Sequence, residues 1–315
     1  MKKGGNIMQT TVAKILGQIN SVLVGKEDKA ELAIITLLAG GHLLLEDVPG
    51  VGKTTLANAL AKSIDADFGR IQFTPDTLPS DITGVSIYNM KSGNFEYMKG
   101  AIMHNIILAD EINRTSPKTQ ASLLEAMEER QVTVDHVIYP LESPFMVIAT
   151  QNPIDFLGTY NLPEAQLDRF MMKLSLGYPS AEEEEKMIER KLAGLAVENV
   201  DAVATKEEII NMQQEVLKVT IHKDLIRYIV EIVEATRKNE NISLGLSPRA
   251  TIAMIRAAQA SAYIEGRDYV IPDDIMKVML PVAAHRLVLS VEARVAKKKP
   301  EEILASIKKS IKVPR

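Results

Sequence analysis

A glycine-rich turn between an apolar run and a helical run constrains this chain more than any other feature. The run Leu43-Leu44-Leu45 leads into the turn at 47–52, and residues 53–62 have the spacing of a helix. This order of strand, turn and helix is typical of a phosphate-binding loop. Successive backbone N–H groups can bind phosphate oxygens there, and the helix N-terminus adds a positive dipole end. The candidate phosphate-binding residues are Pro49, Gly50, Val51, Gly52, Lys53, Thr54 and Thr55.

Two side chains of this loop have chemistry of their own. Lys53 can reach the β- and γ-phosphates of a nucleotide, and the Thr54 hydroxyl can ligate Mg²⁺. One position departs from the full motif, because Asp47 stands where the motif has glycine. An ordinary glycine-rich turn is the structural alternative, and the strand before the loop and the helix after it make that alternative the weaker one.

Composition narrows the class of protein. A chain of 315 residues is long for one domain, so we expect two. A hydrophobic fraction of 46% and a charged fraction of 25% are typical of soluble globular proteins, and the net charge of −4 favours neither nucleic acid nor anionic membranes as partners. The absence of cysteine excludes disulfides and thiolate metal sites. The sequence predicts neither a signal peptide nor a membrane span, and we therefore expect a cytoplasmic protein.

Polar side chains follow two further apolar strands. Asp110 and Glu111 end the strand at 105–111, and Asn152 follows the strand at 144–150. Ligands bind at the carboxyl ends of strands in a doubly wound sheet. There Asp110 could hold Mg²⁺ through water, and Glu111 could orient and deprotonate an attacking water. Asn152 could hydrogen-bond the γ-phosphate or that water. Alone, these motifs would be an acidic turn and an Asn-Pro turn; the phosphate-binding loop upstream favours the functional interpretation.

Several segments are predicted outside the sheet. Two helices, 11–23 and 27–38, precede it, and the break at 22–26 could pack on an adenine ring or be a plain helix–helix turn. Two hairpins are predicted. One turns near 92–93 and projects from the core as an insertion, and one turns near 135–136, just before the strand at 144–150. Beyond the boundary at 177–180 no strand pattern is clear, and helical periods cover 181–193, 206–218, 222–238, 248–264, 272–289 and 300–311. Ser247 and Pro248 begin one of these helices; the next residue, Arg249, could reach a phosphate or be a surface charge.

The ordered set of motifs resembles that of AAA+ ATPases, and more narrowly that of the MoxR family. The family's usual phosphate-binding loop also lacks the first glycine. The matching stretches extend from residue 24 to about 290 and are 44–50, 72–76, 78–84, 109–114, 124–129, 149–153 and 163–170. The resemblance implies an α/β fold for residues 1–178, namely an AAA+ P-loop domain with a parallel sheet flanked by helices, a helix-two insert (76–100) and a pre-sensor hairpin (131–145). An all-α lid domain with a C-terminal helix would follow at 179–315.

The resemblance also implies a role for each candidate residue. Gly52, Lys53 and Thr54 would form the Walker A motif; Asp110 and Glu111 would form Walker B; Asn152 would be the first sensor and Arg249, on the lid, the second. Arg169 would be an arginine finger that reaches the γ-phosphate of a neighbouring subunit, and Arg114 would be a second candidate across that interface. Val24 and Gly25 are the candidates for adenine contact. Thr54 and Asp110 would be the metal ligands.

The family implies a function as well. MoxR proteins are Mg²⁺-dependent ATP hydrolases that form homo-oligomeric rings, commonly hexamers, and remodel or mature partner proteins, often ones with a von Willebrand factor A domain. A nucleic-acid motor is an alternative, since related AAA+ proteins include helicases, but the hairpin at 131–139 has no Lys or Arg to follow phosphates and carries Asp135. A nucleotide-gated binding switch with slow turnover is a third hypothesis. It is disfavoured by the joint presence of Glu111, Asn152 and Arg169.

Overall fold

The computed structural model describes residues 3–153, 159–194 and 197–314, and their side chains from Thr10 onward. In the first half of the chain helices and strands alternate. In chain order the elements are α1 (Lys3–Val22), α2 (Glu27–Leu38), β1 (Leu43–Glu46), α3 (Lys53–Ser63), β2 (Phe68–Gln72), α4 (Pro79–Thr83), β3 (Gly84–Asn89), β4 (Asn94–Lys99), β5 (Ile106–Asp110), α5 (Pro117–Glu129), β6 (Gln131–Val134), β7 (Val137–Pro140), β8 (Met146–Gln151), α6 (Glu164–Leu167) and β9 (Met172–Leu174).

The second half is predominantly helical, as expected, and we call it the lid. Its elements are α7 (Ala181–Leu192), α8 (Lys206–Val216), α9 (Lys223–Lys238), β10 (Ile242–Leu244), α10 (Pro248–Ile264), α11 (Pro272–Ala283), β11 (Val288–Leu289), α12 (Val291–Val295) and α13 (Pro300–Ser310). Within the described ranges, no helix has both the length and the apolar character that crossing a bilayer requires.

The core is a five-stranded parallel sheet in the order β2-β5-β8-β1-β9. Alternate residues of each central strand face two different apolar clusters: Leu43 and Leu45 join one, and Leu44 joins the other. Burial on both faces explains why these strands are continuous apolar runs. The strand order also places the carboxyl end of β8 between the loop that follows β1 and the acids that follow β5. The sheet therefore brings the sequence motifs to one edge.

Both predicted hairpins are present, and both lie outside this sheet. The strands β3 and β4 pair antiparallel with each other, and so do β6 and β7. The two hairpins contact through Tyr97 and Tyr139, whose rings stack with centroids 3.9 Å apart and an interplanar angle of 19°.

One predicted helix of the lid is too long. The helix expected over 272–289 ends at Ala283, and a 3₁₀ turn, Ala284–Arg286, leads into β11. There β11 pairs antiparallel with β10 and forms a small sheet that the sequence did not indicate. These strands have two and three residues, so they are too short for an alternating pattern to be recognised. The helix ends three residues before Arg286, whose side chain contacts the core domain.

The buried His42, just before β1, links β8 to α5. The Val147 N–H donates to Nδ1 of His42 (3.0 Å), so Nε2 carries the proton and donates to the Met127 carbonyl oxygen (3.1 Å). Burial lowers the pKa of His42 from 6.5 to about 4, and nearby Arg130 adds to this shift while the Met127 bond opposes it. Protonation of Nδ1 would place a second N–H against that of Val147.

Lowering the pH should therefore destabilise the fold. The unfolded chain takes up a proton on His42 below about pH 6.5, whereas the folded chain does so only near pH 4. The contribution of His42 to the free energy of unfolding is complete above about pH 6.5. Between pH 6.5 and pH 4 it falls by up to about 1.4 kcal/mol per pH unit. The pKa of buried His285 is also lowered, with the same sign. Denaturant unfolding between about pH 7.5 and 5 measures the loss.

The matched variants for this prediction are His42→Asn and His136→Asn. Asparagine does not titrate, so His42→Asn should show a shallower pH dependence than the wild type. His136 lies exposed on a hairpin turn with φ 65°, a conformation that asparagine tolerates, and its replacement should leave the slope unchanged. An equally steep loss in His42→Asn would show that other groups carry the pH dependence.

Candidate active site

The loop between β1 and α3 has the shape of a phosphate cradle. Gly50 and Gly52 have φ of 87° and 101°, in the left-handed region that favours glycine. The helix α3 begins at Lys53, and its first backbone bond runs from the Leu56 N–H to the Gly52 carbonyl oxygen (2.9 Å). The preceding N–H groups have no partner within the helix. They therefore form an anion-binding helix terminus at the sheet's carboxyl edge.

Lys53 is held in this loop by its own backbone. Its Nζ donates to the carbonyl oxygens of Asp47 (2.6 Å) and Val48 (3.3 Å). Burial lowers the pKa of Lys53, and the negative charges of Asp47, Asp110 and Glu111 oppose that shift. The ammonium group thus lies between the loop and the acids, where it can contact phosphate oxygens.

Asp47, the departure from the full motif, has a structural role that the sequence did not reveal. Its buried carboxylate accepts hydrogen bonds from the Ser175 hydroxyl (2.7 Å) and from the N–H groups of Leu176 (2.6 Å) and Gly177 (3.1 Å). These bonds tie the entrance of the loop to the segment after β9. Asp47 is not among the residues with positive φ, so its backbone does not need glycine.

Restoring the motif's glycine should therefore harm the protein. Asp47→Gly leaves three donors without their acceptor, among them the buried Leu176 N–H, at a cost of about 1–3 kcal/mol in the free energy of unfolding. We also expect weaker nucleotide binding, because the loop loses its anchor. Denaturant unfolding and titration with a fluorescent nucleotide measure the two effects. Asp76→Gly, at an exposed position, is the control. Tighter nucleotide binding by Asp47→Gly would contradict the anchoring role.

Asp110 is fixed by two neighbours on adjacent strands. Its Oδ1 accepts from the Thr150 hydroxyl (2.7 Å), and its Oδ2 accepts from Arg70 Nη2 (2.6 Å). The same Arg70 nitrogen also donates to Gln72 Oε1 (2.8 Å). Thr150 is fully buried near the end of β8, so the neighbouring strand fixes the orientation of the Asp110 carboxylate.

Glu111 leaves the strand in a conformation that turns its side chain back toward the sheet edge. Its φ is 58°, and its N–H donates to the Thr150 hydroxyl (2.9 Å). Its Oε2 accepts from Gln72 Nε2 (2.9 Å) and lies 3.3 Å from Arg114 Nε. Arg114 is thus next to the acid of its own chain.

One cavity of about 420 Å³ collects most of these groups. It is lined by Pro49, Gly50, Gly52, Lys53, Thr54, Thr55, Arg70, Gln72, Asp110 and Glu111. The hydroxyl of Thr54 and the carboxylate of Asp110 are hard oxygen donors, which suit Mg²⁺. Among the described residues no group of three or more His, Cys, Asp or Glu could hold a metal ion.

A second cavity of about 510 Å³ shares Gly50, Thr54 and Thr55 with the first. Val24, one of the two candidates for adenine contact, lines it together with Met187 and Arg190 of α7. Gly25, at φ 69°, is not among its lining residues. A Cβ at Gly25 would overlap the Glu183 side chain, so its position serves the close approach of α7. The α7 residues had no sequence signal beyond their place after the boundary.

Three further predicted residues are not among those that line the first cavity. Asn152 is buried directly after β8, and neither it nor Arg169 or Arg249 is among the residues that line this cavity. The structure brings the two arginines together on Glu128, near the end of α5. Arg169 Nη2 lies 3.0 Å from Glu128 Oε2, and Arg249 pairs with Oε1 of the same carboxylate. Sequence reasoning had not singled out Glu128.

Comparison with known proteins agrees with this geometry. Residues 42–172 match the model for the ATPase family associated with various cellular activities (AAA), and residues 234–307 match the AAA lid domain. A crystal structure of a presumed ATPase from Cytophaga hutchinsonii is 40% identical, with a TM-score of 0.92, and covers 99% of this chain and 97% of its own.

Three curated relatives extend over most of the chain. The uncharacterized protein YeaC of Bacillus subtilis is 54% identical over 96% of this chain and 95% of its own length. Chaperone MoxR1 of Mycobacterium tuberculosis is 39% identical over 97% of this chain and 83% of its own length. Protein MoxR of Paracoccus denitrificans is 30% identical over 86% and 87%. With both domain matches in the expected order, the chain belongs to the MoxR family of AAA+ ATPases.

Proposed function

We propose that this protein is a Mg²⁺-dependent ATPase, converting ATP and water to ADP and phosphate. The observation that carries the proposal is the shared cavity, in which Lys53 and Thr54 face Asp110 and Glu111. Lys53 and the loop N–H groups would bind the phosphates, while Thr54 and Asp110 would hold Mg²⁺, which offsets phosphate charge when bound. Glu111 would orient the attacking water and accept its proton.

We propose that the site is completed by a neighbouring copy in a ring, commonly a hexamer in this family. Arg169 does not line the cavity of its own chain, which fits a finger that acts on another subunit. Such an arginine stabilises the charge that develops in the transition state. Arg249, on the lid, would be the second sensor, and Asn152, at the end of β8, would be the first. Arg114 is the second candidate for the interface.

The work coupled to hydrolysis would be the remodelling of a partner protein in the cytoplasm. Both hairpins expose apolar side chains, among them Phe95 (73%) and Met98 (57%) on one and Ile138 (58%) on the other. Apolar surface of this kind suits a protein partner better than nucleic acid. The Mycobacterium relative named as a chaperone supports the same class. A von Willebrand factor A domain protein is the partner type we propose.

A nucleotide-gated switch is the second candidate. Arg70 pairs with Asp110, and Arg114 pairs with Glu111, within the same chain. A nucleotide and its metal must compete with these cations, which would make basal turnover slow.

Turnover per subunit, measured against protein concentration, separates the two candidates. A rate that rises with concentration and then saturates, and is lost with a chelator, would support a Mg²⁺-dependent site completed by a neighbour. A flat rate would require mixing with Arg169→Ala subunits to distinguish a preformed ring from a self-sufficient site. Nucleotide binding without turnover at any concentration would favour the switch.

A further inference from the structure

An arginine of the lid is buried against the turn that carries Arg169. Arg286 ends the 3₁₀ turn after α11, and its side chain is only 3% exposed. Its guanidinium donates to Asp168 Oδ1 (2.7 Å) and to the carbonyl oxygens of Asp168 (3.2 Å), Phe170 (2.7 Å) and Met171 (3.0 Å). It also contacts the Val282 carbonyl oxygen, near the end of α11. One lid side chain thus holds the backbone on both sides of Arg169.

Two further contacts come from the lid to the same turn. The Ser247 hydroxyl, which caps α10, donates to Asp168 Oδ2 (2.9 Å). Nε2 of His285 lies 3.1 Å from the Phe170 carbonyl oxygen. Both carboxylate oxygens of Asp168 are therefore held by lid residues. A guanidinium has five N–H donors in a rigid fork, so these bonds define an orientation as well as a distance.

We propose that Arg286 is a positioning residue for the arginine finger, so that the lid of one subunit sets the geometry of hydrolysis in the next. The inference rests on the proposed function, because it requires Arg169 to act on a neighbouring site. Movement of the lid carries Arg286 with it, and the carbonyl oxygens of 168, 170 and 171 follow. Misplacing a catalytic group by about 1 Å can cost about 100-fold in rate. The position of the lid in one subunit thereby affects hydrolysis at the nucleotide site of the adjacent subunit.

A complementation assay tests this inference. Glu111→Gln subunits keep Arg169 but lack the proposed base, and Arg169→Ala subunits keep the base but lack the finger. A mixture of the two should recover ATPase activity that neither has alone. Arg286→Lys, which keeps the charge beside Asp168 but not the fork of donors, is then placed in one kind of subunit at a time.

The position of the substitution decides the outcome. In the Glu111→Gln subunits, which donate fingers, Arg286→Lys should lower the recovered rate about 10- to 100-fold. In the Arg169→Ala subunits, which donate none, it should change that rate by less than about twofold. A merely structural role would not distinguish the two placements. Equal losses in both, or no loss in either, would overturn the inference.

Two controls keep the result interpretable. Arg227→Lys makes the same substitution at an exposed position of α9 and should have no effect in either subunit. Thermal unfolding monitors folding, and if Arg286→Lys does not fold, Asp168→Asn takes its place in the same assay. Absence of recovery in the parental mixture would overturn the trans-acting finger of the proposed function, and this inference with it. Recovery that is insensitive to Arg286 would overturn the inference alone.

Discussion

Replacing Arg169 by alanine should lower ATP turnover by about 10³-fold or more while leaving nucleotide affinity nearly unchanged. The reason is that a finger contributes in the transition state and little in the ground state. The fold should survive, because Arg169 is partly exposed and its partner Glu128 retains Arg249. Arg227→Ala, on the exposed face of α9, is the matched control.

Steady-state turnover and nucleotide titration on the same preparations check this prediction. Wild-type subunits mixed with increasing amounts of Arg169→Ala should lose activity, because each variant subunit disables the neighbour that it faces. Unchanged turnover would exclude Arg169 as the finger. Loss of cooperative unfolding would instead assign Arg169 a structural role through Glu128.

Replacing Glu111 by glutamine should keep ATP bound and lower its hydrolysis about 10²- to 10⁴-fold. Glutamine has the same shape and keeps an oxygen that can accept from Gln72, but it cannot take the proton from water. The left-handed backbone at this position and its bond to Thr150 are independent of the side chain, so the geometry should be retained. Glu129→Gln, exposed near the end of α5, is the control.

Single-turnover measurements isolate the chemical step for this variant. The amount of nucleotide bound should equal that of the wild type, and the rate of phosphate formation should fall. A variant that hydrolyses ATP at the wild-type rate would remove Glu111 from the role of base. The candidate would then have to be sought among the other groups that line the cavity.

Features that depend on residues close together in the chain could be predicted from the sequence. The phosphate-binding loop, the insertions and most helices of the lid were predicted because turn residues and apolar periods are local signals. The predicted length of α11 was too great because apolar residues continue past Ala283. The helix ends there, and Arg286 beyond it bonds to the Phe170 carbonyl oxygen of the core domain.

Residues that act through distant contacts were missed. Arg70 lies 40 positions from Asp110, and Arg286 lies 118 positions from Asp168. No periodicity connects such pairs. The strand order brings Arg70 beside Asp110, and the packing of the lid on the core brings Arg286 beside Asp168. A weak signal did exist for Arg70 and Gln72. They alternate with apolar residues on β2, an edge strand whose polar side chains end beside β5.

The stacked rings of Tyr97 and Tyr139 have a mechanical consequence. The first hairpin leads into β5, which ends in Asp110, and the second leads into β8, which carries Thr150. Because the rings are stacked, a displacement of one hairpin would disturb the other, and through it the strand that the other hairpin precedes. A partner protein that grips one insertion would thus strain the two supports of the same carboxylate together.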